Sequence, residues 1–239
     1  MNYVIADIHG CYEEYLELLN KINLEDEDHL YILGDAMDRG PQPMKVLLDC
    51  VNRKNISYVI GNHDYLFLYF IHKLGVDLSN AVNLSAEDIS DFQLYLKDGG
   101  LTTIEEFIKL TQEEKIAVCN FLKKANSYEE IEVGNKRYIL VHAGISGFDE
   151  EKSLDEYDVL DFISKRTDYN KRYYQNGNTY IITGHTPTQY INKDSLAKVY
   201  SRNGHIAIDC GCVYGGKLAA YCIESGKTRY VDAKKCYCV

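Results

Sequence analysis

Five short segments concentrate side chains that bind cations or move protons. They are "DIHG" with Asp7 and His9, "GDAMDRG" with Asp35 and Asp38, "GNHD" with Asn62, His63 and Asp64, "VHAG" with His142, and "TGHT" with His185. Imidazole, carboxylate and carbonyl oxygen without thiolate suit Mn, Fe or Zn better than a structural four-cysteine zinc. In "DIH" the donors sit at i and i+2, which point the same way along a strand. Asp7 and His9 are therefore expected to chelate one ion together. Asp35 has two carboxylate oxygens and is a candidate bridge between two ions. Asn62 offers a neutral carbonyl oxygen, and His142 and His185 add imidazoles. Taken singly, each segment also reads as a glycine-framed or Asx turn. Taken together, in order and each closing an apolar run, they point to a metal site.

The elements that must position these residues are short strands. "NYVIADIHG", "HLYILGD", "ISYVIGNHD", "KRYILVHAG", "TYIITGHT" and "HIAIDCG" each hold four to six Val, Ile, Leu or Tyr residues before the charge or glycine. Between the first three, "CYEEYLELLNKI" and "PQPMKVLLDCVN" have helical spacing, the second with prolines suited to a first turn. A β-α-β-α-β start predicts a layered α/β fold, whose binding crevice lies at the strand C-termini. From about residue 65 to 130 the pattern becomes helical, with "SAED" and "TQEE" as capping boxes. This predicts a helical insertion within a single domain spanning 1–239. The tail "GKLAAYCIESGKTRYVDA" predicts a hairpin turning at "ESGK".

A formal net charge of -10 without any basic run gives no general attraction to a nucleic-acid backbone, so none is expected as a partner. No run approaches the roughly 20 apolar residues of a membrane span, and no basic stretch precedes an apolar one at the start. A cytoplasmic protein with reduced thiols is expected. Among eight cysteines, Cys210/Cys212 and Cys236/Cys238 form two C-x-C pairs. A thiolate metal site or tail disulfide is conceivable, but half-buried strand cysteines and a loose tail are the favoured reading.

The set "DIHG", "GDAMDRG", "GNHD", "VHAG" and "TGHT" resembles the calcineurin-like metallophosphoesterases of the phosphoprotein phosphatase family. The bacterial and phage-type serine/threonine phosphatases and the symmetrical dinucleoside tetraphosphatases belong there. The resemblance runs from Asp7 to about Gly216 and includes "IDCGCVYGGKLAAY" as a closing segment. It implies a four-layer α/β/β/α sandwich of two mixed sheets with metals at the strand ends. By that resemblance Asp7, His9 and Asp35 would hold one metal, and Asp35 would bridge to a second completed by Asn62, His142 and His185. Manganese is the first choice for both ions, with iron and zinc as alternatives. Two metals about 3.5 Å apart suit in-line attack on phosphorus by a bridging hydroxide.

The same resemblance makes His63 the general acid, with Asp38 fixing its tautomer. Asp64 would stand behind the ligands. Arg39 would grip phosphate oxygens through its forked guanidinium, and Arg166, or failing it Arg172, would be a second clamp. Relatives often carry a tryptophan near that second arginine, and this chain has none. Tyr214 is either near the site or an ordinary strand-end tyrosine. Two substrates fit the motifs. The chain length and short insertion favour a phosphomonoesterase acting on phosphoserine or phosphothreonine in proteins. The alternative is a symmetrical bis(5'-nucleosyl)-tetraphosphatase, which cuts a phosphoanhydride. Intact ligands, acid and arginine argue against a catalytically dead binding module. Oligomeric state is left open.

Overall fold

The computed structural model describes residues 1–74 and 85–237. In chain order the first elements are β1 (Asn2–Ile5), α1 (Tyr12–Ile22), β2 (His29–Leu33), α2 (Pro43–Asn52), β3 (Ile56–Val59) and α3 (Asn62–Lys73). The insertion continues with α4 (Ala86–Tyr95), a π-type turn at Leu96–Gly100, α5 (Leu101–Phe107) and α6 (Gln112–Lys123). Then come β4 (Tyr128–Val133), β5 (Lys136–Val141), α7 (Val159–Ile163), β6 (Thr179–Thr183), β7 (Tyr200–Arg202), β8 (His205–Ala207), β9 (Lys217–Cys222) and β10 (Thr228–Asp232).

Two five-stranded mixed sheets result, ordered β10-β9-β1-β2-β3 and β4-β5-β6-β8-β7. Strands β1, β2 and β3 are parallel, as are β5, β6 and β8, and the remaining pairings are antiparallel. Side chains alternate between the faces of a strand, and here both faces are buried. Val4, Tyr31, Leu33 and Val59 of the first sheet meet Tyr138, Leu140, Ile182 and Ile206 of the second in a core between the sheets. On the opposite face of the first sheet, Ile5, Leu30 and Ile32 pack against Tyr15 and Leu18 of α1, Val46 and Leu47 of α2, and Phe67 of α3. Behind the second sheet, Ile139, Val141 and Ile181 pack against Phe162 and Ile163 of α7. Three cores between four layers reproduce the expected sandwich, and the two sheets aim their parallel strands at one edge.

Three segments depart from expectation. The helical insertion stops at Lys123, and residues 128–130 open β4 instead. Glu130 and Glu132 in "YEEIEV" face outward on an edge strand, where charge is tolerated and blunts further pairing. Strand β7 is only three residues long and has no apolar run to announce it. Cys210 and Cys212 are buried thiols in the loop before β9, rather than half-buried strand residues. Cys238 and residues 75–84 of the insertion lie outside the described residues. Among the described residues, no helix is long and apolar enough to cross a membrane.

Candidate metal centre

The first sheet delivers Asp7 and His9 to its edge, but not by strand geometry. Strand β1 ends at Ile5, and Asp7 and His9 both lie in the left-handed region, at φ 51° and 45°. The i, i+2 alternation therefore does not aim these side chains. Their backbone N–H groups instead donate to the Gly34 and Asp35 carbonyls, at 3.2 and 2.9 Å. That pairing ties the "DIHG" turn to "GDAMDRG". Asp35, Asp38, Arg39 and His185 are also left-handed, at 52°, 66°, 67° and 62°. Each such residue costs about 1–3 kcal/mol and persists only where its surroundings over-determine it. Gly34, at φ 75°, is needed for another reason as well: a Cβ there would lie 2.5 Å from the Gly61 backbone. The contact locks the ends of β2 and β3 together and brings Asp35 beside "GNHD".

Asp64 completes this lock. Its Oδ2 accepts the backbone N–H groups of Gly61, at 2.8 Å, and Asp35, at 2.9 Å, while the Tyr58 hydroxyl donates to the same carboxylate at 3.0 Å. The residue thus supports the turns that carry Asp35 and Asn62.

The six expected ligands converge. Asn62 Oδ1 lies 2.9 Å from His142 Nε2 and 3.0 Å from His185 Nδ1, and these nitrogens are 3.2 Å apart. Asp35 Oδ2 is 3.5 Å from His142 Nε2 and 3.8 Å from His9 Nε2, so it faces both histidines. Asp7 Oδ1 is 4.0 Å from His9 Nε2, and Asp7 Oδ2 accepts the His185 backbone N–H at 2.8 Å. Asp35 belongs to both metal-capable groups, one with His142 and His185 and one with His9 and His63.

The donor chemistry fits cations. His142 Nδ1 donates to the Leu33 carbonyl at 2.7 Å, and His9 Nδ1 donates to the Met37 carbonyl at 2.7 Å. A carbonyl can only accept, so in each neutral ring the lone pair is on the Nε2 that faces the cluster. Burial pushes His9 well below the ordinary imidazole range, helped by the Arg39 charge. Burial and the neighbouring His142 push His185 down to about 3. Conversely, burial together with Asp209 and Asp35 raises Asp7 well above the usual carboxylate range. Burial likewise pushes Asp209 up to about 7. Neutral imidazoles beside crowded, buried carboxylates form an arrangement that positive ions relieve.

His63 differs from its neighbours. Its Nδ1 is 2.7 Å from Asp38 Oδ2. Burial works against its charged form, but Asp35 and the Asp38 hydrogen bond overcome that and raise it above its ordinary value. Asp38 is itself held by the helical insertion: Tyr95 donates to its Oδ1 at 3.0 Å, and so does the Thr103 hydroxyl. The sequence reading did not include Tyr95 or Thr103. Nor did it include Asp98, whose Oδ1 lies 3.2 Å from Arg39 Nη2 and whose Oδ2 is 3.6 Å from His63 Nε2. A signal for them was present in the paired glycines of "KDGG". Gly99 has φ 108°, and a Cβ there would fall 2.4 Å from Arg39 Cγ.

Arg39 and Arg166 both line the cavity of about 180 Å³ above these residues, together with Tyr190, Asp209 and Tyr214. Arg172 lies elsewhere, beside Gly204 at the turn between β7 and β8. Tyr214 precedes β9 and sits under the Arg39 guanidinium, 5.6 Å from ring centre to carbon.

Residues 3–216 match the calcineurin-like phosphoesterase family. The chain belongs to this family. Among its named relatives is the asymmetrical bis(5'-nucleosyl)-tetraphosphatase PrpE of Geobacillus sp. (strain WCH70), 28% identical over 91% of this chain and 88% of that protein. A symmetrical bis(5'-nucleosyl)-tetraphosphatase of Hamiltonella defensa is 38% identical, over 46% of this chain and 42% of its own. A serine/threonine phosphatase of Saccharomyces cerevisiae shares the fold, with a TM-score of 0.57 at 13% identity, covering 98% of this chain and 79% of that one.

Proposed function

We infer that this phosphoesterase hydrolyses dinucleoside tetraphosphates at a phosphoanhydride bond, cutting asymmetrically. The observation that carries this reading is the match to an asymmetrical tetraphosphatase along 91% of the chain. The argument for a protein phosphatase rested on chain length and a short insertion, and the support from length falls away, because the chain covers 88% of the tetraphosphatase relative. Likeness to the yeast phosphatase at 13% identity concerns the fold alone.

Asp7, His9 and Asp35 would hold one divalent ion, and Asp35, Asn62, His142 and His185 a second. Bound there, such ions acidify water and draw charge from phosphate oxygens. The protein's own groups do the rest. His63, hydrogen-bonded to Asp38 through Nδ1, presents Nε2 to the departing phosphate oxygen and gives it a proton. Arg39 and Arg166 hold the phosphate oxygens in line. Asp38 keeps the proton on His63 Nδ1, which orients the ring.

Incubating manganese-loaded protein with diadenosine tetraphosphate and separating the products tests the reading. ATP plus AMP is the expected result. Two ADP would replace the asymmetrical cut with the symmetrical one. Faster release of phosphate from a phosphoserine peptide than turnover of the dinucleotide would overturn the substrate assignment.

A further inference from the structure

Asp98 is a carboxylate placed on the two groups that handle phosphate. It lies in the π-type turn between α4 and α5, and its side chain is 62% exposed. One arm of the Arg39 guanidinium is engaged by Asp98, Nη2 donating to Asp98 Oδ1 at 3.2 Å, while Nη1 lies 2.7 Å from His9 Nε2, the atom that a bound ion would take. A phosphate that takes Arg39 as a fork must share or displace the Asp98 contact.

The carboxylate cannot drift away with its loop. The Arg39 backbone N–H donates to the Gly99 carbonyl at 3.0 Å, and Thr102 Oγ1 donates to the same carbonyl at 3.1 Å. Gly99 packs directly on the Arg39 backbone and Cγ. Asp98 is thus tethered beside the arginine, and its competition with a bound anion is intramolecular. Its other oxygen lies 3.6 Å from His63 Nε2.

We propose that Asp98 is a built-in competitor for Arg39, which weakens the hold on phosphate and so speeds release of the anionic product. The proposal rests on the reading of Arg39 as a phosphate clamp and holds for either substrate class. Removing the charge should tighten anion binding, whereas damage to the fold would loosen it. The two outcomes therefore differ in sign. An exposed ion pair of this kind supports a change of about threefold to fivefold.

The test uses inorganic phosphate, both as an inhibitor of p-nitrophenyl phosphate turnover by manganese-loaded protein and as a ligand that raises the unfolding temperature. Asp98→Asn should lower the inhibition constant about threefold to fivefold and enlarge the thermal shift. In an Arg39→Ala background the same substitution should change phosphate binding less than about twofold, because the contested group is gone. An unchanged or weakened hold on phosphate in Asp98→Asn overturns the proposal. So does equal tightening with and without Arg39, which would mean simple repulsion. If Arg39→Ala alone leaves phosphate binding unaltered, the clamp reading fails, and the proposal fails with it.

Discussion

His63 and His185 line one cavity, yet their surroundings push their protons in opposite directions. His185 is driven down to about 3 by burial and by His142. His63 is more deeply buried and still lies above its ordinary value, because Asp35 and Asp38 face it. An imidazole that binds metal must be neutral, whereas one that gives a proton at neutral pH must hold it. Distance alone would group His63 with His9 and Asp35 as a ligand. What sets it apart is the Asp38 carboxylate, 2.7 Å from its Nδ1. The contrast extends to the supporting structure: carbonyls of Leu33 and Met37 orient His142 and His9, while a carboxylate gripped by the insertion orients His63.

The contrast breaks most severely at Asp35, which faces both sides. Asp35→Ala should lower turnover at least about a thousandfold, since ion-borne stabilisation is worth several kcal/mol. Bound metal should fall with it, measured by elemental analysis of the purified protein. His63→Asn should cost about a hundredfold to ten-thousandfold in kcat. Retained metal distinguishes this loss from that of Asp35→Ala.

Smaller effects sharpen the difference. A raised His63 keeps its proton to higher pH than a free imidazole, so the alkaline limb of kcat/KM should lie above the ordinary value of about 6.5. Asp38→Asn removes one of the influences that raise it and should move that limb to lower pH, as read from a pH–rate profile. Tyr95→Phe deletes one of the hydrogen bonds to Asp38. At roughly 1 kcal/mol, it should reduce kcat about fivefold by loosening the carboxylate that orients His63, as read from steady-state kinetics.

The two regions also differed in how far the sequence disclosed them. Asp7, His9, Asp35, Asn62, His142 and His185 each close an apolar run with a glycine nearby, so residue type and place in the chain coincide. The structure brings all six together. The reason assigned to "DIH" was nevertheless mistaken, because left-handed φ values rather than strand alternation turn Asp7 and His9 inward. Apart from the glycine pair that follows Asp98, Tyr95, Asp98 and Thr103 were hidden by their setting: a tyrosine, an aspartate and a threonine within helical segments carry no spacing that distinguishes them from packing or solvated residues. Only their approach to "GDAMDRG" across more than fifty residues of chain gives them a role, and a pattern of local periods does not encode that approach. A layered α/β fold was legible because the inner strands are continuous apolar runs, and the four-layer sandwich followed from the resemblance that the five motifs carry. Strands β4 and β7 were not, because edge strands bury little and so need few apolar residues.

The most direct test is the metal stoichiometry of His63→Asn beside that of His142→Asn, with both proteins folded and equilibrated with manganese. If His63 is the proton donor and His142 a ligand, His63→Asn keeps the wild-type number of ions while His142→Asn loses at least one. Loss of an ion from His63→Asn would place that ring among the ligands and contradict the division between the two histidine environments.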